Sequence, residues 1–196
     1  KIPLDSKINE ASINSKKIKK DDIFFAIKGK KNDGNNFIKE SLDKGASFAV
    51  VNKIDRSTKV SKQLLVKDSL KSLTNISKKV RLNSLAKVIA ITGSCGKTSL
   101  KELLGNIFGK ISKVSYSPKS YNNKYGVPLS IFNINKHDDF NIFEIGMDKK
   151  GEIDLLSKII KPDVGVITNI SYAHAKNFKN LNQIADAKSE IINNIN

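Results

Sequence analysis

The residues best suited to chemistry lie between positions 92 and 99, where the chain reads Thr92-Gly93-Ser94-Cys95-Gly96-Lys97-Thr98-Ser99. An apolar run at 88–91 precedes them, and Leu100, Leu103, Leu104, Ile107 and Phe108 follow at helical spacing. A strand that turns through Gly-Lys-Thr into a helix has the geometry of a phosphate-binding loop. Its glycines let main-chain N–H groups approach phosphate oxygens, and the helix N-terminus adds partial positive charge. Lys97 is then placed to bridge terminal phosphates, and the Thr98 hydroxyl to bind Mg²⁺. The general pattern carries a glycine where Ile91 stands, so this is a compact Gly-x-x-Gly-Lys-Thr form.

The elements that must position this loop alternate regularly. From residue 87 onward the pattern predicts strands at 88–91, 111–116, 140–145 and 164–168. Helices are predicted after residue 99 and at 126–132, 151–160 and 181–192. Such alternation implies an α/β fold, a mainly parallel sheet covered by helices. Ligands in that architecture sit beyond the carboxyl ends of the strands. The rule puts Gly93 to Thr98, Glu144 and the segment Asn169 to His174 on one rim.

Residues 1–84 read as a separate small α/β domain, with the second domain at 85–196. The first has strands at 23–27, 47–51 and 63–66 and a short helix at 37–42 closed by Gly45. Asp68 caps a further helix whose inner face carries Leu70, Leu73, Ile76 and Val80. The polar stretch 81–84 marks the boundary.

Bulk properties narrow the setting. The 196 residues are 39% hydrophobic, enough for real cores, and no apolar stretch approaches the ~20 residues of a membrane span. No secretory pattern is visible. The single cysteine, Cys95, excludes an internal disulfide and fits a reducing compartment, so a cytoplasmic protein is expected. The net charge of +16 raises a nucleic-acid reading. Its excess is scattered lysine, densest at 16–20, and only Arg56 and Arg81 could give bidentate recognition. An anionic small-molecule substrate accounts for the charge as well, and no nucleic-acid partner is expected.

Four stretches taken together resemble the Mur ligase family, ATP-dependent amide-forming ligases of cell-wall precursor synthesis. They are the loop 92–98; Asn122-Asn123-Lys124-Tyr125-Gly126-Val127-Pro128-Leu129; Glu144-Ile145-Gly146-Met147 running to Gly151-Glu152-Ile153; and Thr168-Asn169-Ile170 with Ala173-His174 and Ala187-Lys188-Ser189-Glu190-Ile191. Their order and spacing recur over essentially the whole chain. The Asn-Asn-x-x-Gly-Val-Pro stretch favours the dipeptide-adding branch. The N-terminal domain is similar to the family's uridine-nucleotide-binding domain through 23–29 and Asp33-Gly34-x-x-Phe37-Ile38.

The resemblance implies ATP and Mg²⁺ as cofactors and UDP-N-acetylmuramoyl-tripeptide and D-alanyl-D-alanine as substrates, joined through an acyl phosphate. It implies that Thr92 to Ser99 and Asn122 hold the nucleotide, with Lys97 on the β- and γ-phosphates. Asn123 would reach the γ-phosphate side, and Thr98 and Glu144 would hold one Mg²⁺. His174 would be the ligand of a second metal ion, with Lys188 matching the lysine that the family carbamylates. Ser15, Lys16, Lys28, Gly29, Asp33 and Gly34 would contact the UDP-sugar. Four positions depart from the family. Asn14-Ser15-Lys16 replaces Asp-Ser-Arg, Asn35 stands where histidine is common, and Cys95 replaces a frequent asparagine, its backbone N–H still able to serve the loop. Family members have three domains, so a monomeric fragment ending inside the second, without turnover by itself, is expected.

Each residue also has a plainer reading. Glu144 can face solvent, His174 and Lys188 can be surface groups, and Asn122 and Asn123 can form a turn before Gly126. His137, beside Asp138 and Asp139, reads as a loop residue. Tyr116, Tyr121 and Tyr125 fit either packing or base stacking. Two rival functions stand beside the dipeptide ligase: a sister ligase adding one amino acid, and a basic nucleic-acid-binding module with a nucleotide loop.

Overall fold

The computed structural model describes residues 7–29, 32–172 and 177–196. The chain separates into two compact units between Ile76 and Ser77. In the first, β1 (Ala11–Ser12), β2 (Ile23–Phe25), β3 (Phe48–Val51) and β4 (Gln63–Leu65) form a parallel sheet in that order, with α1 (Ile38–Asp43) between β2 and β3. Phe24, Phe25, Ala49 and Val51 are buried. Near-continuous apolar strands are what a parallel sheet covered on both faces requires.

The two-residue β1 has no apolar run to announce it. Asp22 holds it in place, accepting from the backbone N–H groups of Glu10 and Lys19. The helix α2 (Ser69–Leu82) begins where Asp68 accepts from the Lys71 N–H at 2.9 Å, and the division between units falls inside it. Of its expected inner face Leu73 is buried, whereas Ile76 is 38% exposed. Ser77 is buried instead and donates its hydroxyl to the Pro128 carbonyl.

The second unit contains β5 (Lys87–Thr92), α3 (Lys97–Phe108), β6 (Val114–Tyr116), α4 (Gly126–Phe132), β7 (Phe140–Glu144), α5 (Glu152–Ile160), β8 (Val164–Ile167) and α6 (Leu181–Ser189). Its strands pair in parallel in the order β6-β7-β5-β8. Ile91 lies beside Glu144 and Thr92 beside Ile167, so three strands end flush. One sheet face packs Val88, Ala90 and Phe143 against Val127 and Ile131 of α4, Ile153 and Leu156 of α5, and Ile184 of α6. Alternation along the strands turns Ile91 and Ile142, also wholly buried, to the other face.

Helix α3 packs against β5, β6 and β7 differently from its apolar spacing. Leu103 and Ile107 are 55% and 46% exposed, and the buried positions are Lys101 and Gly105. A Cβ at Gly105 would stand 2.6 Å from the Tyr116 ring, so glycine is what admits β6 this close. The strand expected from 111 begins at Val114, and Ile111 is exposed. Arg81 also takes a structural role. Its guanidinium donates to the Ile160 and Lys161 carbonyls at 2.7 and 2.8 Å, satisfying the end of α5, and lies 3.5 Å from Asp163. One of the two arginines available to a nucleic acid is therefore committed to the fold.

Gly105→Ala is expected to destabilise the protein by about 1–3 kcal/mol through overpacking against Tyr116. In a Tyr116→Ala background the same change should stabilise by about 1 kcal/mol, the helix preference of alanine over glycine. Denaturant titration of the three variants distinguishes these outcomes, and equal effects in both backgrounds would exclude the steric cause.

Candidate active site

The loop between β5 and α3 is shaped by two glycines with positive φ, Gly93 at 147° and Gly96 at 80°. A Cβ at Gly93 would fall 1.9 Å from Thr168 Oγ1, so only glycine allows this contact with the chain leaving β8. That contact is extended by hydrogen bonds. Ser94 N–H donates to the Asn169 carbonyl at 3.1 Å, and Cys95 N–H to Asn169 Oδ1 at 2.9 Å. Thr168 Oγ1 donates to the Cys95 carbonyl at 2.6 Å, and Ser171 N–H to Ser94 Oγ at 2.9 Å. The Cys95 N–H, expected to face phosphate, is thus turned to Asn169. The amides opening α3 at Lys97 to Ser99 remain as the orphan donors of a helix N-terminus. Thr92, just before the loop, is buried with no hydrogen-bond partner for its hydroxyl among the described residues.

Lys97 arches back over this loop, its ammonium 2.8 Å from the Gly93 carbonyl and 3.4 Å from that of Ser94. Thr98, next in α3, donates its hydroxyl to Glu144 Oε2 at 2.7 Å. Glu144 ends β7 almost fully buried, and its other oxygen accepts from Asn122 Nδ2, also at 2.7 Å. Asn122 is fixed in turn where its carbonyl accepts from Gly146 N–H at 2.7 Å. Asn123 spends its side-chain oxygen on the Tyr125 and Gly126 amides, opening α4. Lys97, Asn122 and Asn123 border a cavity of about 340 Å³ lined also by Lys124, Tyr125 and Gly146, with Leu155 and Leu156 on an apolar side.

Lys188 lies on α6 and is 1% exposed, so it is no solvated cation. Burial, together with the like charge of Lys97, lowers its pKa to about 8. Glu190 anchors this end of α6 by accepting from Gly151 and Asp154 N–H groups at the start of α5. The exposed Cys95 thiol is held below its ordinary pKa, first by the Asn169 hydrogen bond and then by that of Ser171 and the nearby Lys97 and Lys188 charges. His174 lies outside the described residues.

The tyrosines divide: Tyr116 packs on Gly105, Tyr121 on Gly126, and Tyr125 borders the cavity with the Lys124 ammonium 5.2 Å from its ring centre. His137 is an exposed loop residue, as its surroundings predict.

In the first unit, residues proposed for the UDP-sugar follow the carboxyl ends of β1 and β2. Ser15 is buried and donates its hydroxyl to Glu40 Oε2 at 2.8 Å, while Lys16 is exposed. Lys28 bridges to Asp33, and Gly29 N–H donates to the Asn32 carbonyl. Asp33 accepts from both nitrogens of Asn35, which hold its carboxyl below the usual range. A Cβ at Gly34 would meet the Ile27 nitrogen at 2.5 Å, so this glycine is required by packing.

No signal in the sequence pattern marked Lys101, one lysine among many in a strongly basic chain. The roles of Thr168, Asn169 and Ser171 in bracing the loop become visible only when β8 is set beside β5.

Both units have counterparts among known proteins. Residues 7–93 match the Mur ligase family catalytic domain and residues 91–196 the Mur ligase middle domain. The UDP-N-acetylmuramoyl-tripeptide–D-alanyl-D-alanine ligase of Rickettsia prowazekii is 40% identical over 186 residues, 95% of this chain and 41% of the relative. A Bacillus subtilis enzyme of the same name is 31% identical over 96% of this chain and 41% of its own. A crystal structure of MurF from Acinetobacter baumannii superposes with a TM-score of 0.87 at 34% identity, covering all of this chain and 43% of that one. The Thermotoga maritima MurF ligase in complex with ADP gives a TM-score of 0.81 at 34% identity, covering 95% and 43%. The chain spans about two fifths of the length of these relatives. With the fold, the loop and both matched domains in agreement, the chain belongs to the Mur ligase family.

Proposed function

We propose that the chain is the sugar-nucleotide- and ATP-binding part of an ATP-dependent ligase that adds D-alanyl-D-alanine to UDP-N-acetylmuramoyl-tripeptide. The single observation that carries the reading is the buried Glu144 carboxylate, bound on one side to Thr98, which follows Lys97 in α3, and on the other to Asn122, which shares a cavity with Lys97. A carboxylate and a hydroxyl at a helix N-terminus are hard oxygen donors of the kind Mg²⁺ takes beside substrate phosphates. Thr98 and Glu144 would hold that ion, which supplies charge neutralisation between ATP and the incoming carboxylate. The relatives' names and the ADP complex of one of them support the same substrates.

The division of labour follows from charge. The peptide carboxylate and the γ-phosphate are both anions, so the protein must offset their repulsion and fix their approach. The α3 amides and Lys97 bind the phosphates, and Asn123 orients the terminal one. Transfer of the γ-phosphoryl group to the carboxylate gives an acyl phosphate. The amine of D-alanyl-D-alanine then attacks its carbonyl carbon and phosphate leaves. Lys188, with its lowered pKa, is suited to take up CO₂ as a neutral amine, releasing a proton and becoming a carbamate. With His174, that group would hold a second metal ion.

The first unit takes the UDP-sugar at the carboxyl ends of β1 and β2, where Lys16 and Lys28 face an anionic ligand. The cytoplasm suits this assignment. Cys95 is a free, exposed thiol, and no helix among the described residues is long and apolar enough to cross a membrane. We take the chain to act as a monomer with no nucleic-acid partner.

Calorimetric titration should show Mg²⁺-dependent ATP binding, weakened about tenfold or more in Lys97→Ala by loss of charged hydrogen bonds. Undiminished binding in that variant would overturn the assignment of the loop. UDP-N-acetylmuramoyl-tripeptide should bind the wild-type chain separately, and an absence of heat or saturation there would remove the substrate assignment. In ¹³C-bicarbonate, NMR should show a carbamate signal that grows as pH rises toward and past about 8, where Lys188 loses its proton. A signal that survives in Lys188→Met would place the carbamate elsewhere.

A further inference from the structure

Lys101 is a lysine with no exposed surface, one helical turn beyond the residues that bind phosphate and metal in the reading above. It lies four positions after Lys97 and three after Thr98, so the three share one face of α3. Burying an ammonium is costly, and a methionine of similar volume would fill the same space without that cost. Packing alone therefore does not account for a lysine here.

Its partners do. The ammonium donates to the main-chain carbonyl of Lys119 and lies 3.0 Å from Glu102 Oε1, which is partly exposed. Lys119 sits in the middle of the loop joining β6 to α4, the loop that carries Asn122 and Asn123. Its φ of 50° is left-handed, a conformation that non-glycine residues adopt at a cost.

The other ties of this loop to the sheet lie toward its two ends. Ser117 N–H donates to the Ile142 carbonyl, and Ser117 Oγ accepts from Glu144 N–H. At the far side Asn122 meets Gly146 N–H and the Glu144 carboxylate. Between them the bonds of Tyr121 and Asn122 N–H groups stay within the loop. Among the described residues, the Lys101 ammonium links the middle of the loop to α3.

We propose that Lys101 is a positioning residue for the terminal phosphate: by holding the Lys119 carbonyl, it sets the height of the Asn122–Asn123 segment over Lys97 and Thr98. The helix that supplies the cation and hydroxyl thereby also fixes the loop that completes the site. The inference rests on the nucleotide reading given above and adds to it a residue that touches neither nucleotide nor metal.

The consequence is selective. In that reading Asn123, which lines the cavity with Lys97, orients the γ-phosphate, whereas the Gly93–Gly96 loop is held by Thr168, Asn169 and Ser171. Loss of the Lys101 tie should weaken ATP more than ADP. Errors of about 1 Å in a positioned group can cost on the order of a hundredfold.

The test compares Mg²⁺–ATP and Mg²⁺–ADP affinities of the 196-residue chain with those of two variants. Lys101→Met removes the buried donor while keeping volume. Lys119→Pro changes an exposed side chain and forces φ away from its positive value, withdrawing the carbonyl from an intact core. In each variant that retains the wild-type circular dichroism, the ATP-over-ADP preference is expected to fall about tenfold or more. A preference equal to that of the wild type in either folded variant, or equal losses for both nucleotides, would overturn the inference and leave Lys101 a packing residue. A wild-type chain that binds neither nucleotide would overturn the nucleotide reading, and this inference with it.

Discussion

The site depends on one buried carboxylate. Glu144 ends the strand beside β5 and receives a hydroxyl from α3 on one oxygen and an amide from the β6–α4 loop on the other. A buried charge without such partners is heavily penalised, so two separate segments must arrive together for this one to be tolerated. The parallel register makes the meeting possible. Ile91 beside Glu144 brings the phosphate loop and the acid to the same edge, and Thr92 beside Ile167 brings the brace from β8.

Glycine and lysine do the remaining work in opposite ways. Gly93 and Gly105 admit close neighbours: Thr168 against the loop and Tyr116 against α3. Lys101 and Lys188 bring charge into buried positions and Lys97 into a partly buried one, each answered differently. Lys97 leans on loop carbonyls, Lys101 on the Lys119 carbonyl, and Lys188 is answered by a pKa lowered to about 8. In a chain of net charge +16, a lysine count says little about which lysines matter. Burial separates Lys101 and Lys188 from the solvated majority, and the loop carbonyls beneath its ammonium separate Lys97.

The two units also differ in how fully their polar groups are committed. In the second, the Thr98, Asn122 and Glu144 side chains are already bonded to one another, an arrangement that limits reorganisation when charge arrives. In the first, Ser15 and Asp33 are occupied by Glu40 and Asn35 in building the ends of β1 and β2, while Lys16 and Lys28 there are exposed.

Much was legible in the sequence, for identifiable reasons. Apolar runs followed by polar turns located seven of the eight strands; in β2, β3, β5 and β7 the run is apolar because the strand is largely buried on both faces. Gly-x-x-Gly-Lys-Thr located the loop, because only glycines at those places permit its positive φ angles. Asp68 announced α2 through its cap. Other features required tertiary structure. Helical spacing pointed α3 inward along Leu103 and Ile107, yet the buried face carries Lys101 and Gly105, since the approach of β6 and the loop after it decided which side was covered. Arg81 read as a surface charge until the end of α5 was placed against it. The sequence by itself singled out the segments proposed here for phosphate and metal. Which polar groups actually meet was decided by strand order and register, because hydrogen bonds between residues 46 or 74 positions apart leave no trace in local spacing.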